Sequence, residues 1–434
     1  MPKTISKNKP NPHQDTILVV GMIFPTVAKS ILEINKKHKL KYRYLLLAER
    51  EPKNKKEKET IALFDEFIST KGDSDKSIAE ALLPYKDRLL AATCRSEASI
   101  PFFQKVIPHI PYLRTPTNSS LAWSIDKLQM RRRFRLYDKK ISPTFLLVHD
   151  TRKITLKEIT KKIGFPLVIK PAGLAQSLLV SICYHQEELD KNLKRTFRKV
   201  NQIYRETNGR GEPAVLVEQF IEGDMYSIDA YVNSRGKVYF CPMVSVITGK
   251  QVGFDDFFAY RTMTPTNLNK QSINDAEIVG TAAIHALGLR STTAHIELLK
   301  TEKGWKVIEV GPRIGGFRQK MYDLSFGIDH ALNDILIRIP KTPKLAKRIK
   351  GHTATFKFFA KTEGKITTLT GIKKAQQLKS FNSIAIHKKI SDRAIFAKHG
   401  GKSIFDITLF NKDRSKLLAD IRRLEQTIKI VTGK

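Results

Sequence analysis

Continuous apolar runs, rather than alternating ones, open the chain. Thr16–Phe24 (TILVVGMIF), Tyr42–Ala48 (YRYLLLA) and Arg88–Cys94 (RLLAATC) read as strands covered on both faces, as in a parallel sheet. A helical segment is expected at Thr26–Asn35, and Asp65–Leu83 is expected to contain another. This rhythm predicts an open α/β domain over residues 16–119. No G-x-G-x-x-G follows the first strand, so a dinucleotide fingerprint is absent. Residues 1–15 have no apolar core and read as a disordered lead-in rather than a signal peptide.

The period then changes. Ser124 is expected to cap a helix running to about Tyr137. Lys127, Arg131 and Arg135 form a basic stripe on it, and Met130 and Phe134 an apolar pair. Taken alone, the stripe reads as a solvated face. Short strand-like runs at Phe145–Val148, Leu167–Lys170, Leu178–Tyr184 and Ala214–Phe220 alternate with helices near Leu156–Ile163 and Gln186–Val200. Further strands are expected at Tyr226–Val232, Val238–Val246, Ala294–Leu299 and Lys306–Val310, with a helix over Asn274–Leu287. That pattern predicts an α+β domain over 120–340, divided into subdomains of about 142–222 and 223–340. Pro340–Lys350 (PKTPKLAKRIK) reads as a break. A small C-terminal α+β domain follows over 351–434, ending in a helix at Asp413–Ile428.

The chain has 434 residues, with 77 Lys and Arg against 42 Asp and Glu and a net charge of +35. A polyanionic partner would account for such a charge, and so would a generally basic surface. The basic residues are dispersed and no block dominates, so nucleic acid is not the expected partner. No run of about 18 apolar residues predicts a transmembrane helix. Cys94, Cys183 and Cys241 lie far apart in apolar runs. They read as buried thiols in a reducing cytoplasm, neither a disulfide framework nor a zinc site.

Four local features carry candidate chemistry. In FPLVIKPAGLAQS, a strand delivers Lys170 to a small-residue loop containing Gly173 and Ser177, suited to phosphate. In VLVEQFIEGD, a strand ends in a turn with Glu218, Glu222 and Asp224. In AHIEL, His295 and Glu297 share one face of an apolar strand, with Ile296 and Leu298 on the other. In VIEVGPRIGG, Glu309 precedes a turn, Arg313, and the pair Gly315 and Gly316. Glu297 and Glu309 are separated by a Glu302-Lys303-Gly304 hairpin. On adjacent strands they can share a face, and converging carboxylates require a cation. Oxygen donors of this kind suit magnesium bridging nucleotide phosphates. The aromatic, acidic segment Thr248–Thr266 is a candidate substrate loop, with Asp255, Asp256 and Arg261 as contacts.

The order Lys127, Lys170, Glu218, Glu297, Glu309, Arg313 resembles the ATP-grasp superfamily, in the style of biotin carboxylase and L-amino-acid ligases. AHIEL with VIEVGPRIGG is similar to the family's "H-x-E … E-x-N-P-R-x-G-G". FGIDHA (Phe326–Ala331) resembles the helix that follows it. The resemblance implies an ATP- and Mg2+-dependent carboxylate–amine ligase working through an acyl phosphate, with Mn2+ able to replace Mg2+. It implies small-molecule carboxylate and amine substrates, amino acids among them. Lys127 and Lys170 would contact phosphates, under a lid containing Gly173 and Ser177. Glu218 and the backbone of Phe220 and Ile221 would read adenine, and Asp224 would hold ribose. Glu297 and Glu309 would bind metal. Arg313, with Lys170, would act on the transferring group. Gly315 and Gly316 would let backbone amides approach it. Gly311 replaces the family's asparagine, and Met225 stands where many members carry a ribose-binding glutamate. A biotin-carboxylase-like or purine-pathway enzyme, and a non-catalytic nucleotide- or nucleic-acid-binding protein, are the alternatives. No biotin-attachment MKM segment occurs.

Overall fold

A computed structural model describes residues 14–23, 25–174, 178–207, 213–346 and 348–433. Most of the expected N-terminal lead-in lies outside the described residues.

The first sheet is parallel. Its strands β1 (Thr16–Val20), β2 (Arg43–Ala48), β3 (Glu66–Ser69) and β4 (Leu89–Cys94) lie in the order β3-β2-β1-β4. Ile17 to Val20 are fully buried because helices cover both faces, which is why the runs read as continuous. The helix expected within Asp65–Leu83 forms at Asp75–Leu82, and β3 precedes it as a strand that the pattern did not indicate. Glu66–Ser69 is a short, half-buried edge strand and carries little apolar signal of its own. A distant helix, His330–Leu336, packs Ala331, Leu332 and Ile335 against Ile17, Val19 and Tyr44. The first sheet's core therefore borrows side chains from over 300 residues downstream.

The second sheet is antiparallel, with β5 (Phe145–Val148), β6 (Leu167–Pro171), β7 (Ser181–Cys183) and β8 (Val215–Gln219) in the order β5-β8-β6-β7. Leu167, Ile169, Val215 and Val217 turn to one face, against helices Lys153–Ile163 and Gln186–Thr207. Period-two alternation then sends Lys170, Leu216 and Glu218 to the other face.

The third sheet has nine strands. It uses β9 (Asp224–Val232), β10 (Val238–Phe240), β11 (Val244–Thr248), β12 (Ala259–Thr264), β13 (Thr292–Thr301), β14 (Gly304–Gly311), β15 (His352–Phe358), Phe381–Ile386 and Phe405–Asn411. The path runs β14-β13-β9-β11-β12-β15 and continues into Phe405–Asn411 and Phe381–Ile386, with β10 on β9. Strands beyond residue 350 thus extend the same sheet past the Pro/Lys-rich segment. One face packs Ile228, Ala230, Ile296 and Leu298 against helices Lys127–Tyr137 and Lys270–Ala286.

Two expectations are corrected here. Ser124 does not cap the basic helix. It lies inside a separate helix, Asn118–Ile125, and Asp126 caps Lys127–Tyr137 by accepting from Leu128 N and Gln129 N. The apolar, short-polar run 118–125 masked that boundary. Nor is Thr248–Thr266 an open substrate loop. β12 occupies its second half, and Phe258 and Tyr260 are buried in the core of the C-terminal part. Asp256 accepts from Lys398 N at 2.9 Å, Asp255 pairs with Lys398, and Arg261 pairs with Glu425 at 3.4 Å.

Candidate active site

The helix Lys127–Tyr137 lies between the second and third sheets. Met130 and Phe134 join the core under the large sheet, while Leu128 packs with Leu216 and Ala172 of the smaller one. Arg131 is consequently 0% exposed. The solvated reading of the stripe fails at this position, because helical spacing places Arg131 on the face that meets both sheets. Its Nε donates to Glu218 Oε1 at 2.8 Å and its Nη2 to the Ile308 carbonyl at 2.7 Å. Lys170 Nζ lies 2.5 Å from Glu218 Oε2. One buried carboxylate thus holds two buried cations.

Burial alone would raise the Glu218 carboxyl, but Arg131 and Lys170 outweigh it and keep the pKa below the ordinary carboxylate range. Burial, assisted by Arg131 and opposed by Glu218, lowers Lys170 to about 8. These are opposite sides of one compensation. Glu218, expected at the adenine, has both carboxylate oxygens engaged by cations.

The metal-type residues come together. β13 and β14 pair Glu297 directly with Glu309, so both side chains leave the same face. Lys127 Nζ lies 3.5 Å from Glu309 and donates to the Leu174 carbonyl at 2.8 Å. Lys127 therefore joins the carboxylate pair to the loop after β6. In that loop the Gly173 N–H donates to the Tyr204 hydroxyl at 2.6 Å. It is occupied internally rather than presented to a phosphate. Ser177 lies outside the described residues.

Arg313 meets a partner that the sequence pattern did not indicate. Its Nε donates to Glu97 Oε2 at 2.8 Å, and its Nη2 lies 2.7 Å from the same oxygen. Glu97 comes from a short turn after β4, in the N-terminal part. Between β8 and β9, the Phe220 N–H donates to the Pro166 carbonyl at 3.1 Å. Ile221 is half-buried, and Glu222 and Asp224 are exposed at the start of β9. Gly223 is required there, since a Cβ would stand 2.4 Å from the Lys300 carbonyl oxygen.

Beneath Glu297 lies a buried network that sequence reasoning missed. His295 Nδ1 is 2.6 Å from Asp229 Oδ1, and His330 Nε2 is 2.7 Å from Asp229 Oδ2. The Gly315 N–H also donates to Asp229 Oδ2, at 2.8 Å. Burial opposes ionisation of Asp229, yet His295 and His330 hold its pKa far below normal. Burial lowers His295, but Asp229 and Glu297 outweigh it and the net shift is upward. The Gly315 amide is thus committed to Asp229 rather than to a ligand. A Cβ at Gly315 would meet His295 Nδ1 at 2.3 Å, whereas nothing lies within 4 Å of one at Gly316. The signal available in the sequence was Asp229 on an apolar strand, a buried carboxylate needing partners.

Two opposed carboxylates beside a lysine fit a magnesium ion that takes its other ligands from phosphate and water. Among the described residues, no group of three or more His, Cys, Asp or Glu side chains converges on a metal position. Gly311, opposite His295 in the ladder, adds no side chain.

A family model described as an ATP-grasp domain matches residues 163–320, spanning β6 to the Gly315–Gly316 turn. This segment is an ATP-grasp domain. Among curated relatives, the uncharacterized protein y4rH of Sinorhizobium fredii is 28% identical over 53% of this chain and 45% of its own length. The chain thus spans less than half of that relative. A D-alanine–D-alanine ligase of Buchnera aphidicola is 23% identical over 54% of this chain and 74% of its own. Among solved structures, an L-amino acid ligase from Bacillus licheniformis superposes with a TM-score of 0.74 at 16% identity, covering 98% of this chain and 100% of that one. A 2-oxoglutarate carboxylase biotin carboxylase domain from Hydrogenobacter thermophilus gives a TM-score of 0.67 at 13% identity, over 98% and 92%. The likeness to these structures is one of fold. It extends from the ATP-grasp domain to nearly the whole chain.

Three free cysteines, Cys94, Cys183 and Cys241, are all buried. Burial pushes the Cys94 thiol up to about 12 and Cys183 to about 11. Among the described residues no helix is long and apolar enough to cross a membrane.

Proposed function

We propose that the protein is an ATP- and magnesium-dependent carboxylate–amine ligase that forms an amide or peptide bond. The observation that carries this reading is the cross-strand pair Glu297–Glu309 with Lys127 beside it, inside an ATP-grasp domain. The kinship with ligases of amino acids supports it.

A carboxylate is a poor electrophile. Its oxygen attacks the γ-phosphorus of ATP, the bond to the ADP oxygen breaks, and an acyl phosphate results. An amine nitrogen then attacks the acyl carbon and phosphate leaves, with the amine proton passing to solvent. Magnesium held by Glu297 and Glu309 would neutralise phosphate charge. Lys127 and Lys170 supply further positive charge from fixed positions, so little reorganisation is needed at the moment of transfer. Glu218 keeps Lys170 in place, and Arg313, oriented by Glu97, faces the substrate carboxylate. The segment 220–224 would carry the nucleoside, with Ile221 as the backbone contact and Glu222 or Asp224 at the ribose. Manganese is expected to substitute for magnesium. Amino acids are the substrate class to test first, and a cytoplasmic setting accords with three buried thiols.

The test is ADP release from ATP and magnesium with pooled amino acids and small carboxylates. Amino-acid-dependent turnover, abolished by Glu309→Ala, is the expected result. ATP binding without turnover in any pool would sink the ligase reading.

A further inference from the structure

Among the described residues, two cations on the large sheet's site-facing side, Arg318 and Lys357, make no ion pair with a carboxylate. The helix Arg318–Phe326 lies across this side, with Met321, Tyr322 and Phe326 packed against Tyr231 and Val244. Arg318, at its first position, is only 4% exposed. Its guanidinium donates to the Ser227 hydroxyl at 2.6 Å, to the Gly316 carbonyl at 3.1 Å and to Met321 Sδ at 3.3 Å, and its buried Nε has no partner among the described residues. None of those partners is charged. Ser227 is the register partner of Glu297, so Arg318 sits one strand away from the carboxylate pair.

Lys357 approaches from β15. Thr355, two residues earlier, pairs with Thr262 of β12, and Thr262 reaches Met321 of the covering helix at 3.5 Å. Strand alternation puts Lys357 on that same side. It is partly buried and, among the described residues, makes no ion pair or hydrogen bond. Its ammonium lies 5.5 Å from the centre of the Phe317 ring. The nearest candidate counter-ion is its cross-strand partner Asp406, already held by His387 at 2.9 Å and Ser403 at 2.7 Å. Burial lowers the Lys357 pKa, Asp406 opposes the shift, and Arg318 adds to it. Arg313, by contrast, has Glu97.

Buried cations without counter-ions cost free energy unless an anion completes them. The helix carrying Arg318 begins at Phe317, which has a left-handed φ of 61° and offers no side-chain cap. Its N-terminus therefore adds positive potential at the same place.

We propose that Arg318 and Lys357, at the start of this helix, form a subsite for a second carboxylate of the substrate, one that is retained in the product rather than phosphorylated. The inference rests on the ligase reading for its placement beside the reacting group, but not for the binding itself. It makes the preferred substrate a dicarboxylate.

The test is calorimetric binding to the full chain of two matched pairs, glutarate against butyrate and L-glutamate against L-glutamine. The wild type is expected to bind each dicarboxylate at least about tenfold tighter than its partner, the scale of one charge-assisted contact. Lys357→Met should erase that preference, Lys357→Arg should keep most of it, and neither should change ATP affinity. Equal binding within each pair, no binding of any probe, or a Lys357→Met loss confined to ATP overturns the subsite. Substrate-dependent ADP release is read in parallel. Dicarboxylate binding without turnover would retire the ligase reading and leave the subsite standing. Turnover of monocarboxylates at a rate indifferent to Lys357→Met would do the reverse.

Discussion

Arg313 Nε donates to Glu97 Oε2 at 2.8 Å, across 216 positions of sequence. This contact joins the N-terminal parallel sheet to the turn that follows β14. It is partly buried on both sides, so screening weakens it without abolishing it. Glu97→Ala is expected to lower kcat/KM for the carboxylate substrate by about tenfold through misplacement of Arg313. ATP affinity should be unchanged, and Glu97→Gln should recover part of the loss. Steady-state kinetics with separate substrate and ATP titrations check this. An effect on ATP alone would contradict the assignment.

Glu218 stands between two buried cations. Glu218→Ala would leave Arg131 and Lys170 uncompensated, which typically costs about 3–5 kcal/mol. Urea unfolding is the measure. A loss under about 1 kcal/mol would show that water or rearrangement compensates the cations.

Neighbouring glycines should behave differently. Gly315→Ala forces a methyl group against His295 Nδ1, 2.3 Å away, within the Asp229 network. It is expected to destabilise by about 1–3 kcal/mol. Gly316→Ala meets nothing within 4 Å, and its melting temperature should match the wild type. Equal effects at the two positions would count against the packing argument.

Lys170 gives a pH signature. Burial lowers it from 10.5 to about 8, so the ammonium proposed to contact phosphate is lost as pH rises through about 8. ATP affinity should fall across that range and stay flat in Lys170→Arg, since arginine does not titrate there. The sign for stability is opposite. Between pH 8 and 10.5 the unfolded chain binds more protons at this group, so its contribution makes folding more favourable as pH rises. Equilibrium nucleotide binding from pH 7 to 9.5 decides the first point.

Much of the site was legible because its chemistry is local. Lys170 closes a strand before a small-residue loop, and Glu297 and Glu309 flank a tight hairpin. Strand periodicity then sets which face each side chain takes. The parallel N-terminal sheet was legible through uninterrupted apolar runs. The strand Glu66–Ser69 was not, because a half-buried edge strand has no such run. Arg131 read as solvated because helix spacing reveals a stripe but not what covers it.

The sequence by itself determined most of the elements, their order and the residue types able to handle phosphate and metal, since these depend on near-neighbour spacing. Only the tertiary structure decided which charges are spent on each other. Glu218 is taken by Arg131 and Lys170, Arg313 by Glu97, and the Gly315 amide by Asp229, while Arg318 and Lys357 pair with no carboxylate among the described residues. Those pairings join residues from 48 to over 200 positions apart. Coulombic and hydrogen-bond energies depend on distance in space and on burial, and neither is written in the spacing along the chain.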